Sequence, residues 1–207
     1  MTSPISQVLL LFAHPALHKS RVNRVLVDAA RQVEGVTVHD LYERYPDFDI
    51  AVADEQELLL GHDVIVMQHP FFWYSVPAIL KEWMDLVLEH GWAYGGQGTK
   101  LSGKRLMSAV STGGGDVAYT PEGINRYTMR EFLRPIEQTA RLCDMAYLPP
   151  FLVQGTHRLS DEDIQSHAAD YRRLLAALRD GSIDTGSVGD LERINGDLDA
   201  VIEGGDS

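Results

Sequence analysis

The residues best suited to ligand chemistry lie in three short segments, each of which follows an apolar run. In the first, Ser20, Arg21 and Asn23 stand at the start of a pattern of helical spacing, and His14 and His18 precede them. A helix N-terminus presents free backbone N–H groups and the positive end of a dipole, which favour a phosphate group. A Ser-capped helix without a ligand is the alternative. A metal site at the two histidines is not expected, because no carboxylate is near them.

The second segment contains four consecutive aromatic residues, Phe71 to Tyr74, between Pro70 and Pro77. Four such side chains in one loop cannot all point into a core, so some must line a surface or a pocket. A flat, electron-rich ring would be held there by stacking and edge contacts. The sequence therefore favours a pocket over the alternative, in which these residues only fill the core and contact a second subunit.

The third segment, Ser111–Tyr119, carries three consecutive glycines, Gly113 to Gly115. A backbone without Cβ atoms can approach a ligand closely and direct its N–H groups at it. Such groups could stabilise the charge that develops on a ring carbonyl during reduction. A flexible turn has the same composition, so this segment supports the other two segments and is weak evidence by itself.

Strand and helix patterns alternate five times along the chain. The predicted strands are Val8–Ala13, Val36–Leu41, Asp63–Gln68, Arg105–Val110 and Leu152–Gly155. The predicted helices cover Asp54–Gly61, Val76–Glu89 and Ile124–Asp144 and also follow Ser20 and Ser160. This alternation predicts an α/β fold, a doubly wound five-stranded parallel sheet with helices on both faces and the flavodoxin-like order 2-1-3-4-5. The loops after strands one, three and four, which are the three segments above, would then meet at the carboxyl edge of the sheet.

The composition is ordinary for a globular protein, and its charge excludes some partners. The 207 residues include 18 Lys plus Arg and 30 Asp plus Glu, a net charge of −12. This balance argues against duplex nucleic acid and anionic membranes as partners. Cys143 is the only cysteine, which excludes an internal disulfide and a Cys-cluster metal site and fits a reducing compartment. No apolar run is long enough to span a membrane, so a cytoplasmic protein is expected.

Six separated motifs occur in the order in which a known family has them. They are Ala13-His-Pro15 with Ser20 and Asn23, Tyr45-Pro-Asp-Phe48, Gln68-His-Pro70 with Trp73-Tyr-Ser75, His90-Gly-Trp-Ala-Tyr-Gly95, Thr112-Gly-Gly-Gly115 and Leu148-Pro-Pro-Phe151. Over about residues 8–180, the sequence resembles the flavodoxin-like NAD(P)H:quinone oxidoreductases of the DT-diaphorase type. It is most similar to the bacterial flavoproteins that are ancillary to glutathione-regulated potassium-efflux systems.

The resemblance implies a flavin at the carboxyl edge of the sheet, with FMN favoured and FAD as the alternative. It implies that NADPH or NADH gives a hydride to the flavin and leaves, and that a quinone-like acceptor then takes the hydride at the same place. The implied contacts to the phosphate end come from His14, Ser20, Arg21, Val22 and Asn23. Those around the ring come from Phe71, Phe72, Trp73 and Tyr74, and those to its pyrimidine edge from Ser111, Thr112, Gly113 and Gly114.

Tyr119 and Asn125 are the positions to which the resemblance points for catalysis. Tyr119 matches a family tyrosine that hydrogen-bonds near the flavin during hydride transfer, and it counts among the cofactor contacts as well. The mammalian members carry a histidine six residues after this tyrosine, where this sequence has Asn125. Because an amide cannot hold a proton as an imidazole can, the reduced flavin is expected to depend on backbone N–H groups and solvent instead.

The expected organisation is a flavodoxin-like flavin-binding domain over residues 1–180 and an acidic, Gly- and Asp-rich tail over residues 181–207. One short helix of the tail is expected to pack on a partner subunit, and the resemblance implies a homodimer with the site near the interface. A regulatory subunit of a potassium-efflux transporter, held at the inner membrane through that partner, is one alternative function. A one-electron flavodoxin carrier is another, against which the aromatic pocket and the extra residues count.

Overall fold

The five strand patterns form one parallel sheet in the computed structural model, which describes residues 5–183 and 188–203. The strands are β1 Val8–Phe12, β2 Val36–Asp40, β3 Val64–Pro70, β4 Arg105–Thr112 and β5 Ala146–Gln154. Their order is β2-β1-β3-β4-β5, and every neighbouring pair is parallel. The predicted fold class and strand order are therefore confirmed.

Helices cover both faces of the sheet, because alternate residues of the buried strands point to opposite sides. The helices are α1 Arg21–Ala30, α2 Leu41–Arg44, α3 Val52–Leu60, α4 Ala78–Val87, α5 Met129–Phe132, α6 Arg134–Leu142, α7 Asp161–Asp180 and α8 Leu198–Glu203. Val8, Leu10 and Phe12 of β1 pack in one core cluster with α1 and α7, whereas Leu9 and Leu11 pack in a second with α4 and α6. Among the described residues, no helix is long and apolar enough to cross a membrane.

The helix predicted over Ile124–Asp144 is wrong as one element. Thr128 caps α5, because its side chain and Glu131 form a capping box, and α5 ends after one turn. Leu133 leaves the helical conformation, and α6 starts with Pro135 in its first turn. Proline has no N–H group to continue a preceding helix but fits the start of a new one, which explains the division.

The last strand begins at Ala146, six residues before its predicted start at Leu152, and it includes Pro149 and Pro150. The pairing of β4 with β5 shifts by one residue at these prolines, between Met107 and Ala109 of β4. Proline cannot donate to a neighbouring strand, so it is tolerated at a bulge or on an edge strand. Strand β5 is an edge of the sheet, which accommodates both prolines.

The segment after α7 packs on its own chain. Val188, Ile194, Leu198 and Val201 are buried in the core cluster that contains α1 and α7. The short helix of this segment, α8, therefore buries Leu198 and Val201 within its own chain, and its packing on a partner subunit stays a prediction. Residues 184–187 and 204–207 lie outside the described part of the chain.

Candidate active site

A cavity of about 430 Å³ opens at the carboxyl edge of the sheet, which is the size of a small-molecule site. Nine of the residues singled out in the sequence line it: His14, Ser20, Arg21, Val22, Asn23, Phe71, Phe72, Ser111 and Gly113. The remaining lining residues are Ala16, Lys19, Pro70, Thr156 and His157. The structure therefore brings all three segments to one cavity and adds a fourth, the loop after β5.

The N-terminus of α1 forms one end of the cavity. Ser20 caps the helix, and its Oγ accepts hydrogen bonds from the Asn23 backbone N–H at 3.1 Å and from Asn23 Nδ2 at 3.3 Å. Asn23 Nδ2 also donates to Ser111 Oγ at 2.8 Å, which joins the first loop to β4. The first N–H groups of the helix have no helical acceptor. This end of the cavity is thus fixed in place and rich in donors.

The other atom of the Asn23 amide has no partner. Asn23 is 2% exposed, and its Oδ1 makes no hydrogen bond within the described residues. Gln68 lies beneath it, donating from Nε2 to the Asn23 carbonyl at 3.3 Å, and Gln68 Oε1 is likewise without a partner there. A buried acceptor left unpaired costs free energy, and of these two residues it is Asn23 that lines the cavity.

The charge at this end is smaller than the sequence indicates. Arg21 lines the cavity, but its guanidinium forms an ion pair with Asp161 at 2.6 Å and donates to the Leu159 carbonyl at 3.1 Å. Its charge is thereby partly neutralised at the start of α7. Lys19 lines the same end, and no ion pair of its ammonium is found in the described part of the chain.

His14 closes the cavity on the side of the first loop. Its Nδ1 accepts a hydrogen bond from the Ala16 backbone N–H at 3.1 Å, and its ring meets Phe72 edge to face at 6.0 Å. Burial holds the pKa of His14 below its ordinary value, a change that its own backbone hydrogen bond opposes and nearby His18 reinforces. His14 thus contributes an aromatic ring to the wall of the cavity.

The glycine segment requires its glycines because two side chains press against it. A Cβ on Gly113 would lie 2.9 Å from His157 Nε2, and a Cβ on Gly114 would lie 3.1 Å from Tyr119 Cε2. The Gly114 carbonyl accepts from Thr112 Oγ1 at 2.7 Å and from the Gly155 N–H at 2.8 Å. These bonds hold the segment against the loop after β5 and leave its backbone accessible to a ligand.

His157 and Thr156 are the cavity residues that the sequence reasoning missed. They follow β5, whose carboxyl end lies at the same edge of the sheet as the ends of β1, β3 and β4. The predicted strand order contained this signal, because it placed every such loop at that edge. No unusual composition marks the loop, so it was not singled out.

The four aromatic residues divide into two groups. Phe71 and Phe72 line the cavity, whereas Trp73 is 94% exposed and Tyr74 lies between them and solvent. Phe72 and Ser75 exchange two backbone hydrogen bonds across a tight turn, in which Trp73 and Tyr74 have φ values of 47° and 63°. Turns of this hand normally use Asn or Gly, and large side chains there are strained. The Trp73 side chain therefore does not line the cavity of the single chain.

Phe132 of α5 connects the aromatic segment with the glycine segment. Its ring stacks on Tyr74 at 5.3 Å and also meets Phe71, Tyr119 and Tyr127 at 5.5, 6.2 and 5.7 Å. The position of Phe132 could not be predicted from the sequence, since this residue belongs to no motif and lies next to an unexpected helix break. The five rings form one cluster beside the cavity.

Tyr119 and Asn125 contact different partners. The Tyr119 ring lies against Gly114, and burial raises the pKa of its hydroxyl, while a hydrogen bond with Thr112 opposes the change. Asn125 Oδ1 accepts a hydrogen bond from the Tyr74 hydroxyl at 3.3 Å. The Asn125 side chain is therefore paired with Tyr74.

The neighbouring His69 cannot act as a proton carrier near neutral pH. It is fully buried at the end of β3, with Nδ1 3.0 Å from the Pro70 carbonyl, and its Nε2 is without a partner among the described residues. Burial lowers the pKa of His69 to about 4, although the hydrogen bond to Pro70 opposes this. His69, which does not line the cavity, is therefore uncharged near neutral pH.

Comparisons with known proteins agree with this geometry. Residues 6–175 match a family described as having a flavodoxin-like fold. The glutathione-regulated potassium-efflux system ancillary protein KefG of Cronobacter sakazakii is 47% identical over 176 residues, which are 85% of this chain and 96% of that protein.

Two solved structures are also similar. General stress protein 14 of Treponema denticola, in complex with FMN, has a TM-score of 0.80 and 40% identity, and the match covers 83% of this chain and 99% of that one. An NADPH-quinone reductase from P. pentosaceus has a TM-score of 0.75 and 35% identity, with 82% of this chain and 97% of that chain covered.

Proposed function

The chain belongs to the family with the flavodoxin-like fold, and on this premise we propose that it is a flavin-dependent NAD(P)H:quinone oxidoreductase. The proposed cofactor is FMN, the proposed hydride donor is NADPH or NADH, and the proposed acceptor is a quinone-like small molecule. The similarity to an FMN complex at 40% identity and to an NADPH-quinone reductase at 35% identity supports both the cofactor and the reaction class.

The unpaired Asn23 Oδ1 is the observation that carries the proposal. It lies buried beside the N-terminus of α1, in a cavity whose opposite wall is Phe71 and Phe72. FMN combines the three groups that this arrangement fits: a phosphate for the helix N–H groups, hydroxyls that can donate to Asn23, and a flat ring for the aromatic wall. FAD has the same groups and an added nucleotide, so FMN is favoured by the FMN-bound relative.

When bound, FMN supplies two-electron hydride transfer between NAD(P)H and a quinone-like acceptor that occupy the same place in turn. The protein binds and orients. The Ser20 hydroxyl and the first N–H groups of α1 present donors at the phosphate end, and Asn23 Oδ1 presents an acceptor. The backbone N–H groups of Gly113 and Gly114 would stabilise the negative charge that develops at the edge of the ring. Tyr119 keeps its hydroxyl proton through neutral pH, because burial raises its pKa, and it can donate a hydrogen bond at that edge.

The single chain leaves one side of the proposed site uncovered. Trp73 and Tyr74 project from their turn, and Val117, Ile124 and Tyr127 are exposed beside them. Apolar surface of this kind marks an interaction site. We propose a homodimer in which the partner subunit covers this side and completes the place where the donor and the acceptor bind.

A second candidate function is that of an ancillary subunit of a potassium-efflux transporter. It is favoured by 47% identity to KefG, a protein named as ancillary to a glutathione-regulated potassium-efflux system. The two functions use the same fold and are compatible. Co-purification with a membrane transporter would support the second, and rapid turnover of NADPH with a quinone would support the first.

The proposed function is tested by flavin retention. The purified protein is mixed with FMN or with riboflavin, which lacks the phosphate, then desalted and examined by visible absorption. Retained FMN that is bleached by NADPH and recovers with benzoquinone is expected, together with loss of riboflavin. If FMN and FAD both wash away, the flavin proposal is wrong and the ancillary role becomes the leading one.

A further inference from the structure

The segment of residues 188–203, called the strap below, follows α7 and lies beyond the residues 6–175 that match the family. Its apolar side chains are buried, as described above. Its polar side chains and backbone carbonyls make three connections, and each reaches an element beside the proposed flavin site. The strap is therefore connected to the site although none of its residues lines the cavity.

The first connection reaches the glycine segment. Arg193 Nη1 forms an ion pair with Asp116 Oδ2 at 3.0 Å and lies 3.5 Å from Gln154 Oε1 at the end of β5. Asp116 directly follows Gly115 and begins the single turn that leads to Tyr119. A run of three glycines has little conformational preference of its own, so an anchor at its end restricts where its N–H groups point.

The second connection covers the edge of the sheet. Asn195 Oδ1 accepts from the Leu152 N–H at 3.0 Å, and Asn195 Nδ2 donates to the Leu152 carbonyl at 2.9 Å. One side-chain amide thus occupies both backbone groups that an added strand would use. This fixes β5 at Leu152, four residues before Thr156, which lines the cavity together with His157.

The third connection reaches α5. Arg130 Nη2 donates to the Gly189 carbonyl at 2.5 Å, and Nη1 donates to the Leu191 carbonyl. Arg130 is two residues from Phe132, the ring that joins the aromatic cluster. The strap therefore contacts the glycine segment, the end of β5 and the helix of Phe132 within a few residues of one another.

We propose that the strap holds the glycine segment in its ligand-binding conformation, with Arg193 and Asn195 as positioning residues. The proposal rests on the proposed FMN function. Neither side chain touches the cavity, so both act through Asp116 and Leu152. Loss of either contact would free backbone that FMN must then order on binding, which weakens affinity.

The first measurement does not use the cofactor. Amide hydrogen exchange of the protein without FMN is compared for the wild type, Arg193→Ala/Asn195→Ala and Asp199→Ala. Asp199 also belongs to the strap, but it pairs with Arg173 of α7, away from the cavity. Faster exchange of residues 113–119 is expected in the double variant only. Equal exchange in all three proteins would overturn the proposal, whether or not FMN binds.

The second measurement is the dissociation constant of FMN, from quenching of its fluorescence. The double variant is expected to bind about fivefold to tenfold more weakly than wild type, since each contact is a modest one, and Asp199→Ala is expected to bind equally well. Arg193→Glu should be weakened and Arg193→Glu/Asp116→Lys restored, which a general loss of stability would not produce. Wild-type affinity in the double variant would overturn the strap proposal, whereas failure of the wild type to bind FMN would overturn the proposed function.

Discussion

Two groups of buried polar side chains lie on opposite faces of the sheet, and they differ in how well they are paired. On one face, Glu55 of α3 is 1% exposed and accepts three hydrogen bonds. The donors or partners are His39 Nε2 at 2.8 Å, the Tyr45 hydroxyl at 2.6 Å and Trp83 Nε1 at 2.7 Å. The chain itself therefore supplies all three hydrogen-bond partners of this carboxylate.

On the other face, Asn23 and Gln68 are equally buried but each keeps an oxygen without a partner in the described residues. A buried polar network that is complete stabilises the fold, whereas one that is incomplete needs an explanation. The difference distinguishes a complete network from one in which two acceptors are left open, and it is seen without reference to any motif.

The largest effect is expected from Glu55→Ala. The change leaves three buried groups without their acceptor, so the free energy of unfolding in urea should fall by about 3–5 kcal/mol. Glu57→Ala, an exposed change in the same helix, is the control and should leave it within about 0.5 kcal/mol. Folded Glu55→Gln protein should bind FMN as the wild type does. A loss of FMN affinity there would mean that the two networks are not separate.

The next largest effect is expected from Asn23→Leu. The change removes the contacts to Ser20 and Ser111 together with the unpaired oxygen, so FMN binding should weaken about a hundredfold, since one charged or buried hydrogen bond is worth about 1.5–3 kcal/mol. The protein without FMN should lose little stability, because an unpaired buried acceptor is removed as well.

The readout for Asn23→Leu is the shift in melting temperature on adding FMN, because a ligand that binds only the folded state stabilises it by an amount that grows with the logarithm of its affinity. Arg24→Leu, an exposed change in the same helix, is the control and should keep the wild-type shift. An unchanged shift in Asn23→Leu would remove the unpaired amide from the proposed site.

A smaller effect is expected from acid. Burial raises the pKa of Glu55, but hydrogen bonds from His39, Tyr45 and Trp83 together hold it below its ordinary value of 4.5. A carboxyl group with a lowered pKa stabilises the fold above its unfolded pKa, and this contribution is lost as the pH falls through the folded pKa. Unfolding free energies from pH 6 to pH 3 should therefore fall more steeply for the wild type than for Glu55→Gln. Parallel curves would contradict the charged state of Glu55.

Tyr119→Phe tests the chemistry of the site without disturbing either network. Its hydroxyl lies beside Gly114 and can donate a hydrogen bond to the edge of the ring, so quinone turnover should fall about tenfold while FMN remains bound. Tyr127→Phe removes a hydroxyl from the same aromatic cluster and should leave turnover unchanged. Equal rates for the wild type and Tyr119→Phe would exclude a role for this hydroxyl.

Local pattern predicted the parts of the site that follow from helix starts and strand order. Ser20 was recognised as a cap from its place before an apolar helical pattern, and strand order brought its loop to Phe71 and Gly113. Glu55 and Phe132 could not be found in this way. Their partners are brought near by packing between distant segments, which periodicity does not reveal.

The exposure of Trp73 could not be predicted from the sequence either, for a different reason. The turn has positive φ at both central positions, a conformation that Asn-Gly normally adopts. Because Trp73 and Tyr74 occupy these positions, the residue types do not indicate the turn. The strand order of the fold was predictable because it depends on many residues at once, whereas this turn depends on two residues held against their preference.

The smallest effect, expected from Trp73→Gly, concerns this strain. A left-handed residue that is not glycine costs about 1 kcal/mol, and Trp73 is too exposed to recover much of that by packing in the single chain. Trp73→Gly should therefore raise the free energy of unfolding of the monomer by about 1 kcal/mol, partly offset by the entropy of the glycine. It should also shift sedimentation toward the monomer if this side chain covers the partner's site.

Phe48→Gly is the matched control, because Phe48 is left-handed too, at φ 63°, but lies away from the cavity and packs against Tyr42. Relief of strain without loss of dimer is expected there. If both variants behave alike, the Trp73 turn has no role in association. If only Trp73→Gly loses the dimer, association explains the strain at this turn. The side of the site at Trp73 would then resemble the end at Asn23, since each would be completed only by a molecule that the single chain does not supply.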